Sequence, residues 1–340
     1  MNKKSVCLLP KLLGPGGPSS FQAKLRQGLA KHGIETHHDP SRADCDAILV
    51  IVGTRQLPAL WQAHRRGVRV VQRLDGINWL HRVRRTGLRH YLRSEWNNLL
   101  LATIRRHLAD HIVYQSEFTH DWWQTRYRDV PATNEVIHNG VDLQTFSPIG
   151  PQSPDSKTIR VLVIEGSFEG GHDRDLLNAV EFASSLQQKT GKPLDLVIAG
   201  RVPEELKASV SGNDNFHINW IGLVPNADIP ALDRSAHLFF PAEINAACPN
   251  SVVEALACGL PVIAYATGSL PELVRGDAGR AVPYGSDYWQ LEAPNPNPLI
   301  EVALEILDNQ SHFRQAARAR AEEHFGLEMM TEKYLQALNL

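Results

Sequence analysis

The chain has 340 residues, enough for about two domains, and its 35 Lys+Arg against 37 Asp+Glu leave a formal net charge of -2. With 43% hydrophobic and 21% charged residues it has an ordinary globular make-up, which excludes wholesale disorder and a general nucleic-acid coat. The four cysteines, Cys7, Cys45, Cys248 and Cys258, form no CxxC pair, which argues against a disulfide scaffold or a structural zinc and fits a reducing compartment.

Ser5–Pro10 reads as a first strand. A glycine loop with Gly14, Gly16 and Gly17 follows, then a helix over Phe21–Lys31 with Phe21, Leu25 and Leu29 on one face. Ala47–Gly53 and Val68–Leu74 read as strands buried on both faces, as in a parallel sheet covered by helices. Ala109–Gln115 and Asn134–His138 repeat the pattern, so a doubly wound α/β unit is predicted. Pro148–Lys157 breaks the rhythm with Pro148, Gly150, Pro151 and Pro154 and reads as a linker. Alternation resumes with Arg160–Ile164, Leu176–Thr190, Leu194–Ala199, His217–Trp220 and Leu238–Phe240. A helix from Ser251 and a strand over Val262–Tyr265 follow, which makes a second doubly wound unit. Leu327–Leu338 is amphipathic. No stretch approaches about 18 apolar residues, so no spanning segment is expected and the chain reads as soluble and cytoplasmic. Ligands of open α/β sheets bind outside the carboxyl ends of the strands, so the site is expected in the cleft between the two units.

The richest segment is Phe239–Val274. Asn250 precedes a helix, and Ser251 to Glu254 has capping-box spacing, the plain reading of Glu254. The functional reading is a carboxylate that accepts two hydrogen bonds from a ribose diol. Gly268-Ser269-Leu270 could offer backbone N–H groups to a diphosphate. The N-terminal glycine loop fits a dinucleotide fingerprint poorly, because Ser19 or Ser20 stands for the third glycine.

Together these pieces resemble glycosyltransferase family 4, retaining enzymes of the GT-B fold. HIVYQSEF (His111–Phe118), VIHNGVD (Val136–Asp142), Trp220–Ala242 and the closing HFGLEMMTEKYLQAL match further family segments in the family's order. The resemblance implies two doubly wound Rossmann-like domains facing across a cleft: an acceptor-side domain over 1–148, a donor domain over 149–325, and a C-terminal helix over 326–340 crossing back to the first. It implies a nucleotide-sugar donor, with a UDP-hexose such as UDP-glucose favoured, and no other cofactor. Glu254 would hold the ribose, the backbone near Val224 the base, and Gly16, Gly17, Ser269 and Leu270 the diphosphate. Asn250 and Ser251 would complete the donor site. The acceptor would be a glycan or a lipid-linked sugar in polysaccharide biosynthesis. Retention would proceed without an enzyme nucleophile.

Three departures stand out. Ala246 takes the place of the first Glu of the family's Glu-x7-Glu pair, with Asn245, Glu243 or the backbone of Ala247 and Cys248 as substitutes. Ser167 takes the place of an arginine that would neutralise the diphosphate, and no lysine follows; Arg174, His172, Arg201 and the amides of Gly170 and Gly171 are candidate replacements. The first domain lacks the His of a strand-end His-Asp, leaving Arg73 or Asp75 to orient sugar or acceptor. Asp75 and Arg174 are the expected catalytic residues. A catalytically impaired nucleotide-sugar-binding relative is the alternative.

Asp44-Cys45-Asp46 matches Asp-x-Asp but precedes a strand, so it reads as a polar turn, and no metal is expected. Arg82, Arg84, Arg85, Arg89, Arg93, Arg105 and Arg106 cluster with Trp79, Tyr91 and Trp96. The plain reading is a solvated helix face. The functional reading gives Arg84, Arg85 and Arg89 an anionic lipid-linked acceptor or the headgroups at the inner face of a membrane. Nucleic acid is not expected as a partner.

Overall fold

The computed structural model describes residues 4–14, 16–169 and 172–340, and the chain divides into two units, 1–140 with 327–340, and 141–326. In the first unit, fully buried runs such as Ser5–Leu9 (β1) and Ala47–Ile51 (β3) form the sheet centre, because every residue faces either one helical layer or the other. Between them lie α1 (Gly17–Lys31) and β2 (Glu35–His37). The unit continues with α2 (Leu57–Arg65), β4 (Arg69–Leu74), α3 (Leu80–Val83), α4 (Leu88–His107), β5 (His111–Tyr114), α5 (Glu117–Tyr127) and β6 (Thr133–Val136). The six strands are parallel in the order β2-β1-β3-β4-β5-β6.

The second unit runs β7 (Ile159–Ser167), α6 (Asp173–Thr190), β8 (Leu194–Arg201), α7 (Glu204–Ala208), β9 (Phe216–Gly222), α8 (Ile229–Ser235), β10 (Leu238–Phe239), α9 (Asn250–Ala257), β11 (Val262–Tyr265), α10 (Leu270–Leu273), β12 (Gly279–Val282), α11 (Asn297–Asp308) and α12 (Gln310–His324). Its parallel order is β12-β11-β10-β7-β8-β9. The chain order reverses at β7, so the switch point lies between β7 and β10, outside whose carboxyl ends ligands of such sheets bind. Both units are thus Rossmann-like, the architecture of the GT-B fold.

Helix α13 (Leu327–Leu338) belongs to the first unit, where Leu327, Met330, Tyr334, Ala337 and Leu338 join a core with Phe21, Leu25 and Leu29 of α1. A Cβ on Gly28 would lie 2.0 Å from Thr331 Oγ1, so glycine is what lets the two helices meet. Arg69 Nε donates to Ala337 O at 2.7 Å.

The chain passes between units at Gly140–Val141, ahead of the Pro-rich stretch 148–157, which lies inside the second unit. The reason is packing: Val141 bridges Gly326, and Val141 and Phe146 are already in the second unit's core. Helix α1 begins a turn before Phe21, with Pro18 in its first turn, where a missing N–H costs nothing.

Candidate functional site

In the second unit, the register of β7 and β8 sets Ser167 opposite Arg201, and Phe168 N donates to Arg201 O at 2.8 Å. Ser167 Oγ accepts from Glu169 N at 3.2 Å, turning the chain off the strand end. His172 occupies the cap position of α6, and its Nδ1 lies 2.7 Å from Asp175 Oδ2. Glu165 of β7 and Glu243, beyond β10, complete the group: Glu243 N donates to Glu165 Oε1 and Ile244 N to Asp175 Oδ1, both at 3.4 Å.

The electrostatics follow. Burial pushes Glu165 up to about 8, and the charges of Glu243 and Asp175 push the same way. Burial also raises Asp175 against the pull of His172. For His172, burial acts downward but is outweighed by the Asp175 hydrogen bond and the charges of Asp175, Glu243 and Glu165, leaving it at about 9. The strand end at which the resemblance asks for an arginine and a lysine therefore holds three carboxyl groups and one imidazolium.

Beside this cluster, residues 243–247 form a tight loop. Asn245 has a positive φ of 61°, is 4% exposed, and neither atom of its side-chain amide has a hydrogen-bond partner. Ser269 N donates to Ala246 O at 2.9 Å, while the Ser269 hydroxyl, at 0% exposure, is also unpartnered. A Cβ on Gly268, whose φ is +56°, would sit 2.6 Å from Ala246 O, so only glycine allows this clasp. Buried polar atoms left unpaired cost about 1–3 kcal/mol each, so two such side chains in one loop cluster call for an explanation.

The capping box suggested by Ser251 and Glu254 does not form. Pro249 occupies the cap position without a side-chain bond, and α9 starts at Asn250, so Asn250 and Ser251 lie within the first turn. Glu254 is consequently a buried carboxylate, 6% exposed, in the second turn. Ser269 is the cap residue of α10, and Leu270 begins it. Val224 follows β9 and packs against the unit's core.

Arg174 turns along its own helix: Nε donates to Asn178 Oδ1 at 2.7 Å and Nη2 to Glu181 Oε2 at 2.8 Å. Asn178 in turn donates to the Tyr284 hydroxyl at 3.1 Å. Gly170 and Gly171 lie outside the described residues.

In the first unit, Gly16 caps α1 and Gly17 begins it. Asp75 follows β4. Arg73, buried, donates from Nη1 to Asp75 Oδ1 at 2.6 Å and from Nη2 to Asn139 Oδ1 at 2.9 Å, with its guanidinium 3.9 Å from the centre of the Phe21 ring. The Gln115 amide also donates to Asp75, and burial raises the carboxyl against the pull of Arg73. Asp75 borders a cavity of about 530 Å³ with Thr54, Gln56, Asn78 and Asn97 on its wall. Val52, with φ 56°, is also on that wall, a strained conformation for a β-branched residue. Arg84 and Arg85 precede α4 and Arg89 lies in its first turn. Among the described residues no group of three or more His, Cys, Asp or Glu is placed to hold a metal ion. Glu165 and Asp175 carry no motif; only their convergence in space reveals them.

Comparison with known proteins agrees with this architecture. Residues 170–324 match the family model for glycosyl transferases group 1. O-antigen chain mannosyltransferase B of Escherichia coli is 29% identical over 128 residues, 36% of this chain and 30% of that protein. A GDP-mannose-dependent monoacylated alpha-(1-6)-phosphatidylinositol monomannoside mannosyltransferase of Corynebacterium glutamicum is 23% identical over 249 residues, 68% of this chain and 62% of that protein. The alignments thus span less than two thirds of these relatives' own lengths. Among solved structures, Anabaena HepE in complex with UDP-glucose superposes with a TM-score of 0.66 at 14% identity, covering 98% of this chain and 99% of that one. The fold is GT-B, and the second unit carries the match to group 1 glycosyl transferases.

Proposed function

We propose that this protein is a retaining glycosyltransferase of family 4 that moves a hexose from a nucleotide sugar, with UDP-glucose or a similar UDP-hexose favoured, to a glycan or lipid-linked acceptor. The observation that carries the reading is the pair of buried, unpartnered polar side chains, Asn245 and Ser269, inside the segment that matches group 1 glycosyl transferases. HepE, solved with UDP-glucose, supports the choice of donor. The buried cysteines are free thiols, in keeping with a cytoplasmic location.

In this reading Glu254 accepts hydrogen bonds from the ribose hydroxyls, and the backbone by Val224 meets the base. Asn245 offers a donor and an acceptor to the hexose hydroxyls in place of the carboxylate that Ala246 lacks. The turn at Ser269 and Leu270 approaches the diphosphate. His172, cationic at neutral pH and held through Nδ1 by Asp175, takes up the charge that develops on the leaving phosphate oxygen, with Ser167 and Arg201 at the neighbouring strand ends. Arg174 braces α6 through Asn178 and Glu181. Gly16 and Gly17, at the start of α1, are assigned to the donor's anionic groups. Asp75 orients the acceptor at its cavity.

The step balances without an enzyme nucleophile. The anomeric C–O bond to phosphate breaks, the acceptor oxygen bonds the same face, and the acceptor proton passes to the departing phosphate oxygen.

A second reading, a nucleotide-sugar-binding relative with impaired turnover, is favoured by the three carboxyl groups at the β7 end. Calorimetry with UDP, GDP and ADP, with and without added divalent metal, followed by UDP-release assays with UDP-glucose and membrane-lipid or glycan acceptors, separates them. UDP binding with acceptor-dependent release supports a transferase. UDP binding without release supports the relative, and no nucleotide binding refutes both.

A further inference from the structure

Helix α4 is built inside out over its first half. Its inward residues there are Ser94 and Asn98, both buried, and Asn98 is fastened by hydrogen bonds: its Oδ1 accepts from Asn78 N at 3.0 Å and its Nδ2 donates to Asn78 O at 2.9 Å. Its outward residues are apolar. Leu88, Leu92, Trp96 and Leu99 are 74%, 59%, 59% and 56% exposed. At about 100° per residue these four fall within about 80° of one another, on the side opposite Ser94, Asn98, Leu101 and Ile104. They form a stripe roughly 16 Å long at about 1.5 Å per residue. Among the described residues, half of the large exposed apolar side chains, counting Tyr91, belong to this one helix. Isolated exposed leucines need no explanation, but a continuous stripe does.

The charge around the stripe has one sign. Arg89 and Arg93 lie along one edge of it, Arg85 precedes it, and all three are exposed and in no ion pair among the described residues. The helix has a single acidic residue, Glu95, and that charge is taken up locally. Arg82 donates to it from Nε at 2.6 Å and from Nη2 at 2.8 Å, and His81 Nε2 lies 2.8 Å away. Those bonds hold the Glu95 carboxyl down at about 2, so it stays paired rather than opposing an anion. Two copies meeting through this face would set arginine against arginine, with the helix's one carboxylate, Glu95, already held by Arg82 and His81, which disfavours self-association.

We propose that the outer face of α4 docks on an anionic lipid bilayer, lying in the plane of the interface with Leu88, Leu92, Trp96 and Leu99 in the acyl–headgroup boundary and Arg85, Arg89 and Arg93 on lipid phosphates. An apolar stripe flanked by arginines, with an aromatic among the leucines, is the pattern of an interfacial helix. Among the described residues no helix is long and apolar enough to cross a membrane, so this contact is peripheral. It is independent of the donor chemistry.

Co-sedimentation of the full chain with vesicles of phosphatidylcholine alone, or of equal parts phosphatidylcholine and phosphatidylglycerol, tests it. Binding to the anionic vesicles is expected, weakening with salt. The triple variant Arg85→Gln, Arg89→Gln, Arg93→Gln should lower partitioning about 100-fold, at about fivefold per arginine. The double variant Leu92→Gln, Trp96→Gln should lower it about tenfold or more at low salt, where charge alone would hold the protein. All these side chains are exposed, so melting temperatures should be unchanged. Absence of binding to either vesicle, or binding indifferent to the apolar variant, overturns the proposal. So does a dimer in sedimentation velocity that Leu92→Gln, Trp96→Gln dissolves, since a second copy would then be the occupant.

Discussion

His172 and Asp175 face each other across the first turn of α6, Nδ1 to Oδ2, at 2.7 Å. The contact fixes the ring and leaves Nε2 at the helix start, where a positive partial charge already gathers. The charges of Glu165, in β7, and Glu243, beyond β10, act on the same imidazole and favour its cationic form. An imidazolium so held is a cation at neutral pH, in the region where the resemblance leads one to expect an arginine and a lysine.

His172→Gln should lower turnover about 100-fold, the usual cost of removing one donor to a developing oxyanion. Wild-type donor binding should weaken as pH rises through about 9, where the ring loses its proton. Arg174→Ala should instead cost about 1 kcal/mol of stability through the lost Asn178 bond, with turnover little changed. UDP-release kinetics and thermal melts of both variants decide this; the reverse pattern would return the leaving-group role to Arg174.

Glu254→Gln should weaken UDP binding by about 10- to 100-fold, the range for charge-assisted hydrogen bonds, and leave the fold intact. Pro249, not Ser251, holds the cap position of α9, so the substitution breaks no capping box. Calorimetry beside circular dichroism checks it, and a variant that binds UDP normally refutes the ribose role.

Asn245→Ala should separate nucleotide from sugar. UDP affinity should hold, while UDP-hexose affinity drops about tenfold, because only the sugar needs the buried amide. Asn245→Gly serves as the backbone control, since glycine accepts the positive φ without strain. Equal losses for UDP and UDP-hexose would show that Asn245 supports the loop rather than the sugar.

The carboxyl cluster predicts a pH slope. Glu165 moves from an ordinary 4.5 to about 8, so between those values the folded chain holds a proton that the unfolded chain has released. Stability therefore falls as pH rises through that window, by at most about 1.4 kcal/mol per pH unit for one proton. Glu165→Gln should remove that contribution, most visibly between about pH 5 and pH 6.5, while His172, raised from 6.5 to about 9, keeps its own downward slope above that. Urea denaturation across that range measures it; an unchanged slope would mean that Glu165 is not the group responsible.

What the sequence determined by itself was whatever lies within a few residues. The fully apolar run Val262–Tyr265 and the periodic Leu327–Leu338 begin and end where they were read, because burial on both faces and helical spacing are local signals. The two parallel α/β units followed from the same alternation. Tertiary structure decided the rest. It set the passage between units at Val141 rather than in the Pro-rich stretch, because Val141 and Phe146 find their core in the second unit. It turned Ser94 and Asn98 of α4 inward, Asn98 onto Asn78, and left Leu88, Leu92, Trp96 and Leu99 outward, which a basic and aromatic composition does not reveal. It also gathered Glu165, His172, Asp175 and Glu243 from three separate elements. Their shared protonation depends on burial and on distances across the fold, quantities that a linear order of residues does not contain.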